Sequence, residues 1–231
     1  MTTLIIATRN AHKVEEIRGI LGPAFRLLTL RDFPGAPAVV EDASTFAGNA
    51  TKKAVALARW LASSVSHQPV FDTSTFVLAD DSGLEVDALH GAPGVHSARF
   101  AALERGTAGN SSDAENNAKL LRLLDGVPAP RRTARFRCTL ALTPVLEPQP
   151  AGASPACAAD EYEWQTQLFE GACEGRIAFT PGGAGGFGYD PLFVPDGFER
   201  SFAELAGEVK NEISHRAKAL EKLRAHLAAA R

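Results

Sequence analysis

Leu78-Ala79-Asp80-Asp81-Ser82-Gly83-Leu84 sets two carboxylates, a hydroxyl and a glycine directly behind an apolar run, Phe76 to Ala79. Carboxylates can hold a hard cation through oxygen, or take a proton from water. The apolar run reads as a short buried strand. Acids at the end of such a strand lie at a cleft mouth, where open α/β sheets bind ligands. Neighbouring residues on a strand point to opposite faces. Asp80 and Asp81 are therefore expected to have different jobs, unless a turn begins between them. The same residues also make an ordinary solvated Asp-Asp-Ser-Gly turn. The rest of the chain has to choose.

Five other stretches carry groups suited to an anionic or electron-rich ligand. Thr8-Arg9-Asn10-Ala11-His12-Lys13 follows the apolar Leu4 to Ala7 and leads into a helix striped by Val14, Ile17, Ile20 and Leu21. Thr8 and Asn10 can cap that helix and leave backbone N–H groups free, with Lys13 one turn in. That makes a phosphate site, or a plain strand-to-helix turn with a surface lysine. The Gly-x4-Gly-Lys-Ser/Thr pattern of a P-loop is absent. Asn49 and Lys53 share one helix face beside an apolar stripe, suited to a solvated edge or to aiming at a cleft. Glu41, just before that helix, reads as a loop charge or a metal ligand. Arg99 can pair with phosphate or with a surface acid. Pro181 to Pro191 holds five glycines, which permit close backbone approach, with Phe187 and Tyr189 as rings for stacking on a base. Lys210, His215 and Arg216 cluster near the start of a last helix packed through Ile213, Ala217, Leu220 and Leu227. Basic groups there oppose the helix dipole and hint at an anionic ligand, although a solvated basic face is the plain alternative.

Several elements must position these groups. Leu4 to Ala7, Phe25 to Leu30, Phe76 to Ala79, Arg135 to Leu142 and the Trp164 to Ala172 region read as strands. Arg135 to Leu142 alternates cleanly, with Phe136, Cys138, Leu140 and Leu142 on one side. Asp32 to Ala38 is a Pro/Gly loop. Ser44 or Thr45 caps a helix running to about Ala62, buried through Phe46, Ala50, Ala54, Leu57 and Leu61. Ser112 or Asp113 caps another, with Leu120, Leu121 and Leu124 as its stripe and Gly126 at its end. Residues 63–75 and 146–160 are polar or rich in Pro, Ala and Gly and read as flexible excursions.

The chain has 231 residues, 45% of them hydrophobic, enough for one large domain with a real core. A net charge of -3 without a long basic run argues against a nucleic-acid polymer as partner. Cys138 reads as a core residue, and Cys157 and Cys173 lack metal-ligand spacing. No signal peptide or membrane-length apolar run is seen, so a cytoplasmic protein that does not engage a membrane is expected.

Taken together, these segments resemble the inosine triphosphatase family, the noncanonical purine NTP pyrophosphatases that cleave dITP, ITP and XTP. The resemblance runs in order over nearly the whole chain. Thr8, Asn10 and Lys13 match the opening motif. Glu41, Thr45, Phe46, Asn49, Ala50, Lys53 and Ala54 match the next. Ala79 to Leu84, Gly91 to Gly94, Ser97 to Arg99, Gly185 to Pro191 and Ser214 to Arg216 match the rest. Arg9 stands where a glycine is common, and His96 where a tyrosine is usual.

The resemblance implies an α/β fold: an elongated mixed β-sheet with flanking helices, two lobes around a central cleft, and a homodimer. It implies hydrolysis of the purine nucleoside triphosphate to the monophosphate and pyrophosphate with Mg²⁺. Asp81 would be the general base and a metal ligand, with Glu41 and Asp80 holding the ion or its waters. Thr8, Arg9, Asn10, Ala11, His12, Lys13, Lys53 and Ser82 would hold the triphosphate, the lysines stabilising its charge as the bond breaks. Phe187, Gly188, Tyr189, Asp190, Lys210, His215 and Arg216 would hold the nucleoside. Lys210 and Arg216 are donors only, so they suit the C6 carbonyl of hypoxanthine or xanthine and leave adenine unmatched.

Overall fold

The computed structural model describes residues 1–63, 73–145, 163 and 165–229. The expected excursion at 146–160, and all of 63–75 except Ser63 and residues 73–75, lie outside them. Among these residues, six strands form one sheet: β1 (Thr3–Ile6), β2 (Arg26–Thr29), β3 (Thr75–Val86), β4 (Thr133–Pro144), β5 (Gln167–Ile177) and β6 (Phe193–Pro195), in the order β2-β1-β3-β4-β5-β6. β1 runs parallel to both β2 and β3, while β5 and β6 are antiparallel. The sheet is therefore mixed, as expected. Among the described residues, six α-helices accompany it: α1 (Ala11–Leu21), α2 (Phe46–Ser63), α3 (Phe100–Arg105), α4 (Asp113–Leu123), α5 (Gly207–Ile213) and α6 (His215–Ala229).

The chain forms two compact units, Met1–Asp81 with Thr139–Phe169, and Ser82–Cys138 with Glu170–Arg231. In the first, α2 lays Ala50, Ala54, Leu57, Ala58 and Leu61 on Ile5, Ala7, Val77, Ala79 and Ala141. Small alanines on the helix allow that close approach. Thr45 ends the preceding loop by accepting the Gly48 N–H in its hydroxyl, at 3.0 Å. In the second, Leu84, Val86, Phe100, Leu120, Leu124, Phe136, Tyr189, Phe193 and Phe202 share one core. Phe136 and Phe193 have ring centroids 4.7 Å apart, and His215 stacks on Phe136 at 4.8 Å.

Two expectations are corrected. The acids do not close a short strand: β3 continues unbroken through Asp80, Asp81, Ser82 and Gly83 to Val86. What ends is its neighbour. β1 pairs Ile6 with Leu78, and the Ala7 N–H donates to the Leu78 carbonyl at 2.8 Å before the chain turns into α1. Asp80 and Asp81 thus stand just past the carboxyl end of the parallel pair. The first helix begins at Ala11 with Asn10 as its cap, one of the two capping residues expected. The last helix is two helices. Ser214 adopts extended angles, φ -67 and ψ 160, and its hydroxyl accepts the Ala217 N–H at 3.1 Å. Lys210 therefore lies in the last turn of α5, where its charge suits the dipole, and only His215 and Arg216 stand at an N-terminus.

Candidate active site

In the first unit, alternation along β3 separates the two acids. Val77 and Ala79 pack on α2, so Asp81 points the same way. Its Oδ1 lies 3.1 Å from Lys53 Nζ and its Oδ2 accepts from Asn49 Nδ2 at 3.3 Å. Asn49 and Lys53, one turn apart on α2, both aim at this carboxylate rather than at solvent. Lys53 Nζ also donates to Glu41 at 2.9 Å and to the Asp80 carbonyl at 2.8 Å. The Asp80 side chain, fully buried, points to the other face and forms an ion pair with Lys13 of α1. The two acids do have different partners, because neighbours on a strand must.

The Thr8 to Lys13 segment follows β1 and reaches Asp80 through Lys13. Thr8 accepts the Asn10 N–H at 3.2 Å. Asn10 Oδ1 accepts the N–H groups of His12 and Lys13, at 3.0 and 3.3 Å. Those two N–H groups are taken by the cap, contrary to the expected free donors. Arg9, Ala11 and His12 are exposed, and the Arg9 guanidinium donates to the Ala36 carbonyl at 3.5 Å.

In the second unit, Lys210 of α5 donates to Asp190 Oδ2 at 2.6 Å and lies 4.9 Å from the Phe187 ring centre. Arg216, 1% exposed, donates from Nη2 to Ser82 Oγ at 3.0 Å. This contact joins the last helix to β3 one residue past Asp81. Asp190 also accepts the Phe187 N–H at 2.8 Å. Tyr189 is not a stacking ring. It is buried in the core with its hydroxyl on the Ser97 carbonyl at 2.9 Å, and burial pushes its phenol well above the ordinary range. Phe187 is half-buried and remains the aromatic group of this loop.

The Ham1 family profile matches residues 4–226. The chain belongs to the Ham1 family. It is 46% identical over 220 residues to a dITP/XTP pyrophosphatase of Desulforamulus reducens, covering 95% of this chain and 92% of that protein. It is also 46% identical over 224 residues to the dITP/XTP pyrophosphatase of Geobacillus kaustophilus, covering 96% and 93%. The Ham1 protein of Staphylococcus aureus superposes with a TM-score of 0.74 at 32% identity over 100% of both chains. The fold expected from the sequence is thus the fold of solved Ham1 proteins.

The electrostatics of this Ham1 chain are set by burial and two lysines. Burial raises the Asp81 carboxyl, reinforced by Glu41, and Lys53 and Lys13 offset only part of that. Burial also pushes Glu41 up, but the charge and hydrogen bond of Lys53 outweigh it and hold Glu41 below its ordinary value. Burial disfavours the Lys53 ammonium, yet Asp81 and Glu41 outweigh it and raise its pKa. Among the described residues, no three metal-ligating side chains converge. Glu41 and Asp81 share one lysine, whereas Asp80 faces away. A pair of carboxylates fits Mg²⁺, which usually takes one or two and keeps several waters.

Sequence reading placed Ser97 in a motif without giving it a role, and missed Asn116. Ser97 Oγ accepts the Leu84 N–H at 2.9 Å and donates to the Gly94 carbonyl at 2.6 Å. Together with Tyr189 it ties β3 to the glycine-rich loop. Asn116 accepts the Ala101 N–H at 2.9 Å and donates to the Ala98 carbonyl. A signal was present: Asn116 and Asn117 sit four and three residues before Leu120, on the side of α4 that should be apolar. Amides on a buried face need partners.

Among the described residues no helix is long and apolar enough to cross a membrane.

Proposed function

We propose that this protein hydrolyses noncanonical purine nucleoside triphosphates (dITP, ITP and XTP) to the monophosphate and pyrophosphate, with Asp81 as general base. The observation that carries the reading is the Asp81 carboxylate, buried against Lys53 and Asn49, with Lys13 engaged across the strand on Asp80. The names of the D. reducens and G. kaustophilus relatives support it.

Asp81 takes the proton of the attacking water, and its raised pKa makes it a better acceptor than an exposed aspartate. Asn49 orients the carboxylate through one oxygen while Lys53 holds the other. Lys53 and Lys13 stabilise negative charge on the phosphate oxygens as the bond to the leaving pyrophosphate breaks. Thr8 to Lys13 line the triphosphate. Mg²⁺, held by Glu41 and Asp81, would neutralise phosphate charge and order water there. Asp80 acts by fixing Lys13. Lys210 and Arg216 offer donors to the C6 carbonyl of hypoxanthine or xanthine, with the Phe187 ring beside Lys210 to cover the base. Adenine presents an amine at C6, and a site built on donors penalises it. The cytoplasmic location and homodimeric assembly expected from the sequence belong to the same proposal.

The test is pyrophosphate release from ITP, dITP, XTP, ATP and GTP, each with and without Mg²⁺. Preferential, Mg²⁺-dependent cleavage of the first three is expected. Binding of ITP with Mg²⁺ but no turnover would overturn the reading in favour of a nucleotide sensor.

A further inference from the structure

We infer that Asp113 and Asn117 are positioning residues for the nucleoside loop: together they fix the Gly188 peptide group, and through it the ring of Phe187. The inference rests on the proposed assignment of Phe187 to Asp190 to the nucleoside. Asp113 opens α4 and Asn117 follows four residues later, so both lie on one face of the helix. The Gly188 N–H donates to Asp113 Oδ2 at 2.6 Å, and Asn117 Nδ2 donates to the Gly188 carbonyl at 2.9 Å. One helix therefore holds both polar groups of one residue in the loop.

The loop needs an external template. Gly186 and Gly188 adopt φ angles of 71 and 64, in the left-handed region. Glycine enters that region freely but is not confined to it. Phe187 and Asp190 are tied to each other, and Tyr189 is tied to Ser97. Gly188 lies between these anchors and determines how Phe187 is presented to Lys210. The template itself is rigid. Ser112 and Glu115 form a capping box at its start, Asn116 binds Ala98 and Ala101, and Leu120 is fully buried. Loosening Gly188 should therefore weaken base binding and leave the phosphate chemistry of the first unit intact. Lost uniform binding raises KM without lowering kcat.

The experiment uses the full chain with Asp113→Ala, Asn117→Ala and Asp113→Asn, the last keeping an acceptor oxygen. Two readouts are taken: amide hydrogen exchange over residues 186–190, and kcat and KM for ITP and for ATP. For Asp113→Ala, exchange at Gly188 should rise, and KM for ITP should rise on the order of tenfold, the worth of a hydrogen bond to a charged group. Its kcat should stay within about twofold, and the ITP to ATP ratio should narrow. Asp113→Asn should restore most of both. Asp113 is exposed, so its variants decide the matter even if Asn117→Ala, which alters a buried site, fails to fold. Unchanged exchange and unchanged KM in folded Asp113→Ala would overturn the inference. So would an equal loss of kcat for ITP and ATP. A wild type that releases no pyrophosphate from ITP would instead remove the proposed function, leaving exchange at Gly188 to decide the clamp alone.

Discussion

A Cβ added to Gly171 would stand 2.0 Å from the carbonyl oxygen of His215 and 2.7 Å from the amide nitrogen of Ala219. Helix α6 thus seats its first turns directly on the backbone of β5. Lys218 and Lys222 flank the contact, donating to the carbonyls of Ala172 and Glu170 at 2.9 and 2.7 Å. The same turn carries His215 and Arg216. Gly171→Ala should push the helix away from the strand, costing about 1–3 kcal/mol as overpacking does and drawing Arg216 off Ser82. A fall in Tm on the order of 5 °C is expected, together with a lower kcat/KM for ITP. Thermal melting and steady-state kinetics check both, and an unchanged Tm would show that the strand yields instead.

Asp81→Asn should abolish turnover without unfolding the chain. Asparagine keeps the shape and one acceptor for Lys53, but it cannot take a proton. The expected loss in kcat is about 10²–10⁴-fold, the usual worth of a general base. Near-normal pyrophosphate release by a folded variant would remove Asp81 from that role.

Arg216→Ala should narrow the preference for ITP over ATP. The side chain is fully buried, and its Nη2 donates to Ser82. Loss of a charged donor to the cognate base corresponds to about 1.5–3 kcal/mol, read as a larger drop in kcat/KM for ITP than for ATP. Equal fractional losses would assign Arg216 to phosphate binding or to packing.

Cys173 predicts a pH dependence of stability. Burial in the core pushes its thiol from an ordinary value near 9.0 up to about 11. The folded state thus holds the thiol proton more tightly than the unfolded chain does. Its contribution is fully present below pH 9 and is lost as the pH rises through 11. Relative to Cys173→Ala, which does not titrate, the wild type should lose on the order of 2 kcal/mol of unfolding free energy across that range. Denaturant titrations of both proteins at several pH values measure it. A constant difference would show that the thiolate is solvated in the fold.

Local order in the chain determined a great deal. The apolar strands, the helix over residues 46–63 and the capping signals at Thr45 and Ser112 follow from period, turn chemistry and residue type, while the motifs around Asp81 and Arg216 were legible through resemblance to a known family. Opposite faces for Asp80 and Asp81 also follow, since strand alternation is a local property. Tertiary structure decided what periodicity cannot encode. The acids stand past the end of β1, not of β3, because pairing length depends on a partner 72 residues away in the chain. Asn49 and Lys53 turn toward Asp81 instead of water because α2 lies against Val77 and Ala79. Tyr189 enters the core, not the site, because a carbonyl at Ser97 satisfies its hydroxyl. The last helix breaks at Ser214, where a hydroxyl caps a new turn inside an otherwise continuous helical pattern. In each case the deciding term is a contact between distant segments, whose free energy exceeds the small local preferences that the sequence displays.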